Sequence, residues 1–137
     1  MRVVIDASAA LTWCYADERT PESSSLLEYV NLNGAVVPQI WPMEVANALL
    51  VGEIRKRITN EGIAEQLDHF RKLPIEVDSS TANLAWKEII TIARQQRLTT
   101  YDASYIELAN RLKLPLASRD KEMIGAAIRL GIDIIQF

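Results

Sequence analysis

The sequence predicts an α/β fold with a central, mostly parallel five-stranded sheet. Val3-Val4-Ile5 and Ala35-Val36-Val37 are short apolar runs without alternation. Such runs read as strands buried on both faces, as parallel strands are. Between successive strand candidates lie longer stretches with apolar residues at helical spacing, the alternation from which parallel sheets are built. Acids then recur just past the ends of the strand candidates, where a parallel sheet gathers its strand-to-helix turns on one edge.

The elements follow in order. Strand one ends at Asp6, and the small residues Ala7-Ser8-Ala9-Ala10 suit a helix packed close to it, running from Ala7 to about Tyr15. Asp17-Glu18-Arg19 is a polar break, after which Thr20 caps a helix with Pro21 at its first position. Leu26, Leu27 and Val30 give that helix its apolar face, and Asn33-Gly34 closes it. Ala35-Val36-Val37 is the second strand. A helix opening near Pro42 runs through Gly52 towards Arg55-Lys56-Arg57, a basic cluster suited to a helix carboxyl end. Asn60 opens a helix with Ile63, Leu67 and Phe70 on one face, and Pro74 stops it. Ile75-Glu76-Val77-Asp78 alternates and reads as a third, more exposed strand. Ser79-Ser80-Thr81 cap a helix from Ala82 to about Arg94 whose buried side is Leu84, Ala85, Ile89, Ile92 and Ala93. Asp102 to Leu112 is a further helix, 114–118 a short fourth strand, Lys121 to Leu130 a helix closed by Gly131, and Asp133-Ile134-Ile135 a fifth strand.

The 137 residues suit one domain, 1–137, with one core, and 49% hydrophobic residues leave no case for disorder. No uninterrupted apolar stretch is long enough for a transmembrane helix, and Asp6 interrupts any amino-terminal leader, so no membrane association and a cytoplasmic location are expected. The lone Cys14, between Trp13 and Tyr15, reads as a core thiol. A net charge of −3 argues against nucleic-acid binding by bulk positive charge, yet leaves room for an acidic site in which metal ions supply the local cation.

Four acids occupy places that this fold brings together. Asp6 ends strand one, Glu44 sits in the first turn of the helix after strand two, Asp102 begins a helix, and Asp120 follows strand four. At least Asp6, Glu44 and Asp120 are expected on the same sheet edge. Singly, each has a plain explanation as a cap or as an acid placed against a helix dipole. Jointly, converging carboxylates repel one another, and a divalent cation removes that cost. An oxygen-only set points to Mg2+ or Mn2+. His69, the one histidine, lies mid-helix and away from these turns. Such a site suits phosphodiester hydrolysis by metal-activated water, a second ion about 3.5–4 Å away stabilising the leaving oxygen.

These segments resemble the PIN-domain ribonucleases, most closely the VapC-type toxins of toxin–antitoxin pairs, over nearly the whole chain. Val4-Ile5-Asp6-Ala7-Ser8 resembles the family's opening strand with its first acid. Glu44-Val45-Ala46-Asn47-Ala48-Leu49 resembles the second-acid helix, Asn47 lying one turn on. Thr100-Tyr101-Asp102-Ala103-Ser104-Tyr105 resembles the third-acid segment, and Leu116-Ala117-Ser118-Arg119-Asp120 the fourth. The resemblance implies a PIN-like three-layer α/β/α arrangement, an Mg2+- or Mn2+-dependent endoribonuclease acting on RNA, a homodimer, and neutralisation by a cognate antitoxin. It implies that Asp6, Glu44, Asp102 and Asp120 bind metal and that Ser8, Asn47 and Ser118 orient them. Capping or local turn bonding is the plainer role for the serines.

Arg119 and Lys121 flank Asp120 and are placed to contact RNA phosphate. Arg55, Lys56, Arg57, Arg94 and Arg97 are weaker candidates, better read as dipole compensation. Trp13, Trp41 and Trp86 are expected in the core, with Trp41 and Met43 as an alternative lining for a partner groove. Two other readings share the acid cluster. A catalytically silent PIN module would bind without cleaving. An Asp-phosphoacceptor domain would need a Lys closing the last strand, where this chain has Ile134-Ile135-Gln136-Phe137.

Overall fold

The computed structural model describes residues Met1–Phe137. Its sheet is parallel throughout, in the order β3-β2-β1-β4, with β1 (Val3–Ile5) between β2 (Ala35–Val37) and β4 (Leu116–Ala117), and β3 (Ile75–Val77) at one edge. Val3, Val4 and Ile5 are wholly buried, as an unalternating run demands, each side chain contributing about 1.5–3 kcal/mol of burial. β3 is partly exposed, which suits its alternation and its edge position.

The sheet has four strands rather than five. Residues 133–135 reach β4 but form a single parallel bridge, Leu116 with Ile134, flanked by hydrogen bonds from Leu116 N to Asp133 O and from Ile135 N to Leu116 O. β4 is only two residues long and offers too short an edge for a full ladder.

Helices flank the sheet: α1 (Ala7–Leu11), α2 (Pro21–Asn33), α3 (Trp41–Ile54), α4 (Asn60–Lys72), α5 (Thr81–Leu84), α6 (Ile90–Gln96), α7 (Thr100–Leu112) and α8 (Lys121–Arg129). α7 packs on β1 and β4, α1 packs on α3, and α6 on α7. α2 begins as expected, with Thr20 and Ser23 in a reciprocal capping box and Pro21 in the first turn, and ends at Gly34, whose φ of +86° suits glycine. Cys14 is buried, and burial, with Glu18 nearby, pushes its thiol up to about 12.

Several boundaries differ from expectation. α1 stops at Leu11, and residues 12–14 continue as tight turns donating to carbonyls three residues back. Thr59, not Asn60, caps α4 through its hydroxyl. Ser80 makes no side-chain cap, and Thr81 Oγ1 instead accepts from Gln39 N. The helix expected from 82 to 94 contains a π-helical turn at Ala85–Ile89. That wider turn carries Trp86 off the inward face held by Ile89 and Ala93, and Trp86 is 92% exposed rather than in the core. Trp13 and Trp41 are buried as expected. Trp13 Nε1 donates to Ser23 O at 2.8 Å, and Trp41 packs edge-on against Phe70 with its Nε1 unpartnered. Met43 is 75% exposed.

Candidate active site

Asp6 leaves β1 at its carboxyl end and caps α1 in one step. Oδ1 accepts from Ala9 N at 2.9 Å and from Ser8 Oγ at 2.7 Å, and Oδ2 accepts from Ser118 Oγ at 2.6 Å. The residue is 4% exposed. Burial pushes its carboxyl up, and Asp120 adds to that, while the three hydrogen bonds pull the other way without cancelling it.

The Ser118 bond crosses from β4 to β1. In the order β3-β2-β1-β4 the connection reverses direction between those two strands, the crevice where open parallel sheets bind ligands. Ser118 Oγ also accepts from Asp120 N at 2.9 Å, and Ser8 Oγ accepts from Arg119 N at 3.0 Å. Both serines are therefore clamps between the β1 turn and the β4 turn. Asp120 caps α8, one oxygen accepting from Glu122 N and Met123 N. The capping reading is thus realised for Asp6 and Asp120, as additional duties.

Glu44 lies in the first turn of α3, as expected. Its Oε1 accepts from the Tyr105 hydroxyl at 2.5 Å. Burial raises the Glu44 carboxyl, and the Asp6 charge adds to it against the Tyr105 bond. The Tyr105 hydroxyl is raised in turn, by burial first and then by Glu44, Asp6 and Asp102.

Asp102 stands in the first turn of α7, and its place is set by Thr99, whose Oγ1 accepts from Asp102 N. Thr99, not Asp102, caps this helix, so capping does not explain the acid. Burial raises its carboxyl to about 6, with Asp120, Glu44 and Asp6 adding in that order. This mutual effect shows that all four expected acids lie within electrostatic reach of one another.

The other expected residues divide. Ser8 and Ser118 bond Asp6 directly. Asn47 is exposed on α3 and makes no side-chain hydrogen bond. Arg119 is exposed, its guanidinium 5.5 Å from the Phe137 ring, and Lys121 is exposed at the start of α8. Sequence reasoning missed Tyr105 and Thr99. Each lies three residues from Asp102, so helical spacing and cap chemistry were the available signals.

As the side chains stand, no three Asp, Glu, His or Cys groups close into a cage around one ion. The four acids within electrostatic reach of one another are oxygen donors only. No helix is long and apolar enough to cross a membrane.

Comparison with known proteins places this geometry. The sequence matches the PIN domain family over residues 3–128. No curated protein sequence matches it. Among solved structures, PAE2754 from Pyrobaculum aerophilum is similar at a TM-score of 0.67 and 19% identity, with 96% of each chain covered. FitAcB from Neisseria gonorrhoeae is similar at 0.67 and 13%, covering 97% of this chain and 96% of that one. VapBC2 from Rickettsia felis, bound to a DNA fragment from its promoter, is similar at 0.69 and 16%, covering 100% and 99%. At these identities the likeness establishes the fold.

Proposed function

We propose, from the premise that this chain belongs to the PIN domain family, that it is a metal-dependent endoribonuclease and the toxin of a toxin–antitoxin pair. The observation that carries the reading is the placement of Asp6 at the end of β1, Asp120 just past β4, and Glu44 and Asp102 in the first turns of α3 and α7, close enough that the other three charges raise the Asp102 carboxyl. Thr99 already caps α7, so the helix dipole is the one structural role left to Asp102. A repulsive cluster of one buried and three partly buried acids is retained where a cation resolves it.

The donor set fits Mg2+ or Mn2+. Mg2+ keeps several waters and binds through one or two carboxylates, so an open, acid-lined edge suits it better than a closed cage. Asp6, Glu44, Asp102 and Asp120 would hold the ion, which would activate water as a nucleophile and offset charge on the phosphodiester. The chain's part is orientation. Ser8, Ser118 and Ala9 N fix the Asp6 carboxylate, Tyr105 fixes Glu44, and the α8 backbone holds one oxygen of Asp120. Such supporting contacts typically matter about 10–100-fold for metal affinity or activity.

The partner reading follows the likeness to VapBC2 and FitAcB. Here it is an antitoxin bound over the acidic edge. A homodimer is the accompanying assembly, and the exposed Trp86, with Ile90 beside it, is the apolar surface available for it. Trp86→Asp is expected to shift the protein from dimer to monomer in sedimentation without lowering its melting temperature. An unchanged sedimentation coefficient would remove Trp86 from the interface.

The test of the function is cleavage of total cellular RNA by the purified chain with Mg2+, Mn2+ or EDTA. Discrete metal-dependent fragments are expected. No cleavage, together with no rise in melting temperature on adding Mn2+, would sink the enzyme reading in favour of a silent binding module.

A further inference from the structure

A cleft of about 440 Å3 runs between α1 and the carboxyl half of α3, and Ser8 belongs to both this cleft and the acidic site. Its floor is Leu11, Ala48, Val51 and Gly52. Positions 44, 48, 51, 52 and 55 share one face of α3, so the cleft leads from Glu44 along the helix to Arg55, about three turns on. Arg119 lines the cleft at the end where Ser8 accepts from its backbone N–H.

The charges here are sorted. Arg57 is committed, its guanidinium bonded to Asp17 and Glu18 and lying 4.0 Å from the Tyr15 ring. That contact also neutralises Glu18, the one acid lining the cleft. Arg55 and Arg119 enter no salt bridge. Gly52 makes room for the Tyr15 side chain at this end of the cleft, because a Cβ there would stand 2.2 Å from the Tyr15 hydroxyl. Three of the lining side chains are arginines, and the two free of salt bridges, Arg55 and Arg119, favour a phosphate-bearing ligand.

We propose that this cleft seats the sugar–phosphate backbone of the RNA strand on one side of the scissile bond, with Arg55 and Arg119 as positioning residues paired to phosphates. The inference rests on the ribonuclease reading and adds to it the path of the strand. A net-negative protein thereby holds a polyanion through two local guanidiniums instead of a basic face.

The test uses the full chain with Arg55→Gln, Arg119→Gln and Arg55→Lys, and Lys72→Gln on α4 as the remote control. Binding of a dye-labelled single-stranded RNA of mixed sequence is measured against salt in an Asp102→Asn background. Cleavage of the same RNA is measured in the wild-type background. Each Arg→Gln change is expected to raise KM about five- to tenfold with kcat little changed, and to lower the slope of log K against log salt by about 0.7, one single-strand phosphate contact. Arg55→Lys should retain most of the slope, and Lys72→Gln should change neither quantity. Metal-dependent cleavage with KM and slope unchanged in both Gln variants would overturn the cleft assignment while leaving the nuclease standing. Unchanged RNA binding with loss of binding to the antitoxin would assign the cleft to the protein partner and overturn it equally. Absence of both cleavage and RNA binding in the wild type would bring down the nuclease reading and this one with it.

Discussion

Asp102→Asn is expected to abolish RNA cleavage and, in metal-free protein, to raise the melting temperature. The two effects have one cause. Asp102 is pushed up to about 6 by burial and by the charges of Asp120, Glu44 and Asp6. A carboxyl raised on folding holds its proton more tightly in the folded chain. Its stabilising contribution is complete below the ordinary value of 3.8 and is lost as pH rises through about 6. Asp6 and Glu44 are raised too, and act in the same direction. Metal-free protein should therefore lose stability as pH rises from about 4 to about 7, and Asn at 102 should flatten that fall. Asp102 is partly exposed, so solvent screening cuts the gain at neutral pH to about 1 kcal/mol, roughly 4 °C. Mn2+ should recover more stability in the wild type than in the variant. Cleavage should fall about a hundredfold or more, at least ~3 kcal/mol of barrier. Thermal melts with EDTA and with Mn2+ at several pH values, beside a cleavage assay, measure all of this. Retained cleavage would remove Asp102 from the machinery, and a lower metal-free melting temperature would show that its charge is not a liability.

Asp6→Asn would be a less clean experiment, because Asp6 also holds the fold. The amide has one acceptor oxygen where the carboxylate has two, and Asp6 receives Ser8 and Ala9 N on one oxygen and Ser118 on the other. One of those bonds is lost or reversed, at a cost of about 1–2 kcal/mol.

How much of this was legible from the sequence follows from the range of the signals. The strands were readable because Val3-Val4-Ile5 and Ala35-Val36-Val37 announce double burial locally. The Thr20 box and Gly34 were readable because capping is local as well. Asp6, Glu44 and Asp120 could be expected on one edge because each follows a strand and parallel topology fixes that edge, whereas Asp102 follows no strand and carried no such signal. What did not show was long-range or a matter of degree. Whether residues 133–135 form a strand depends on how much of β4 is left to pair with, which no local pattern states. Trp86 was misplaced because its residue type, not its position, put it in the core, and the π turn at Ala85–Ile89 leaves it exposed. The Tyr105 bond to Glu44 joins residues far apart in the chain and has no signature at Glu44.

Arg111→Met is expected to cost about 3 kcal/mol of stability, the largest single loss to come from outside the apolar core. Arg111 Nε donates to Glu107 at 2.8 Å, one turn earlier on α7, and its Nη2 donates to Asp78, just past β3, at 2.7 Å. Glu107 is a buried acid, and Arg111 is its one side-chain partner. The two acids raise the guanidinium further above its ordinary value, Glu107 most and Asp78 next, so the arginine stays charged. Removing a partner from such a pair leaves a buried charge uncompensated, which costs more than the pair gains. Glu107→Gln together with Arg111→Met should therefore recover much of the loss, since a neutral amide is less costly to bury. Urea melts of the two single variants and the double variant form the cycle. Additive losses would mean that Glu107 is satisfied by something other than Arg111. The triad ties α7 to the β3 turn, and α7 also delivers Asp102 and Tyr105. A milder Arg111→Lys change should then lower cleavage together with stability, whereas Asp102→Asn should separate the two.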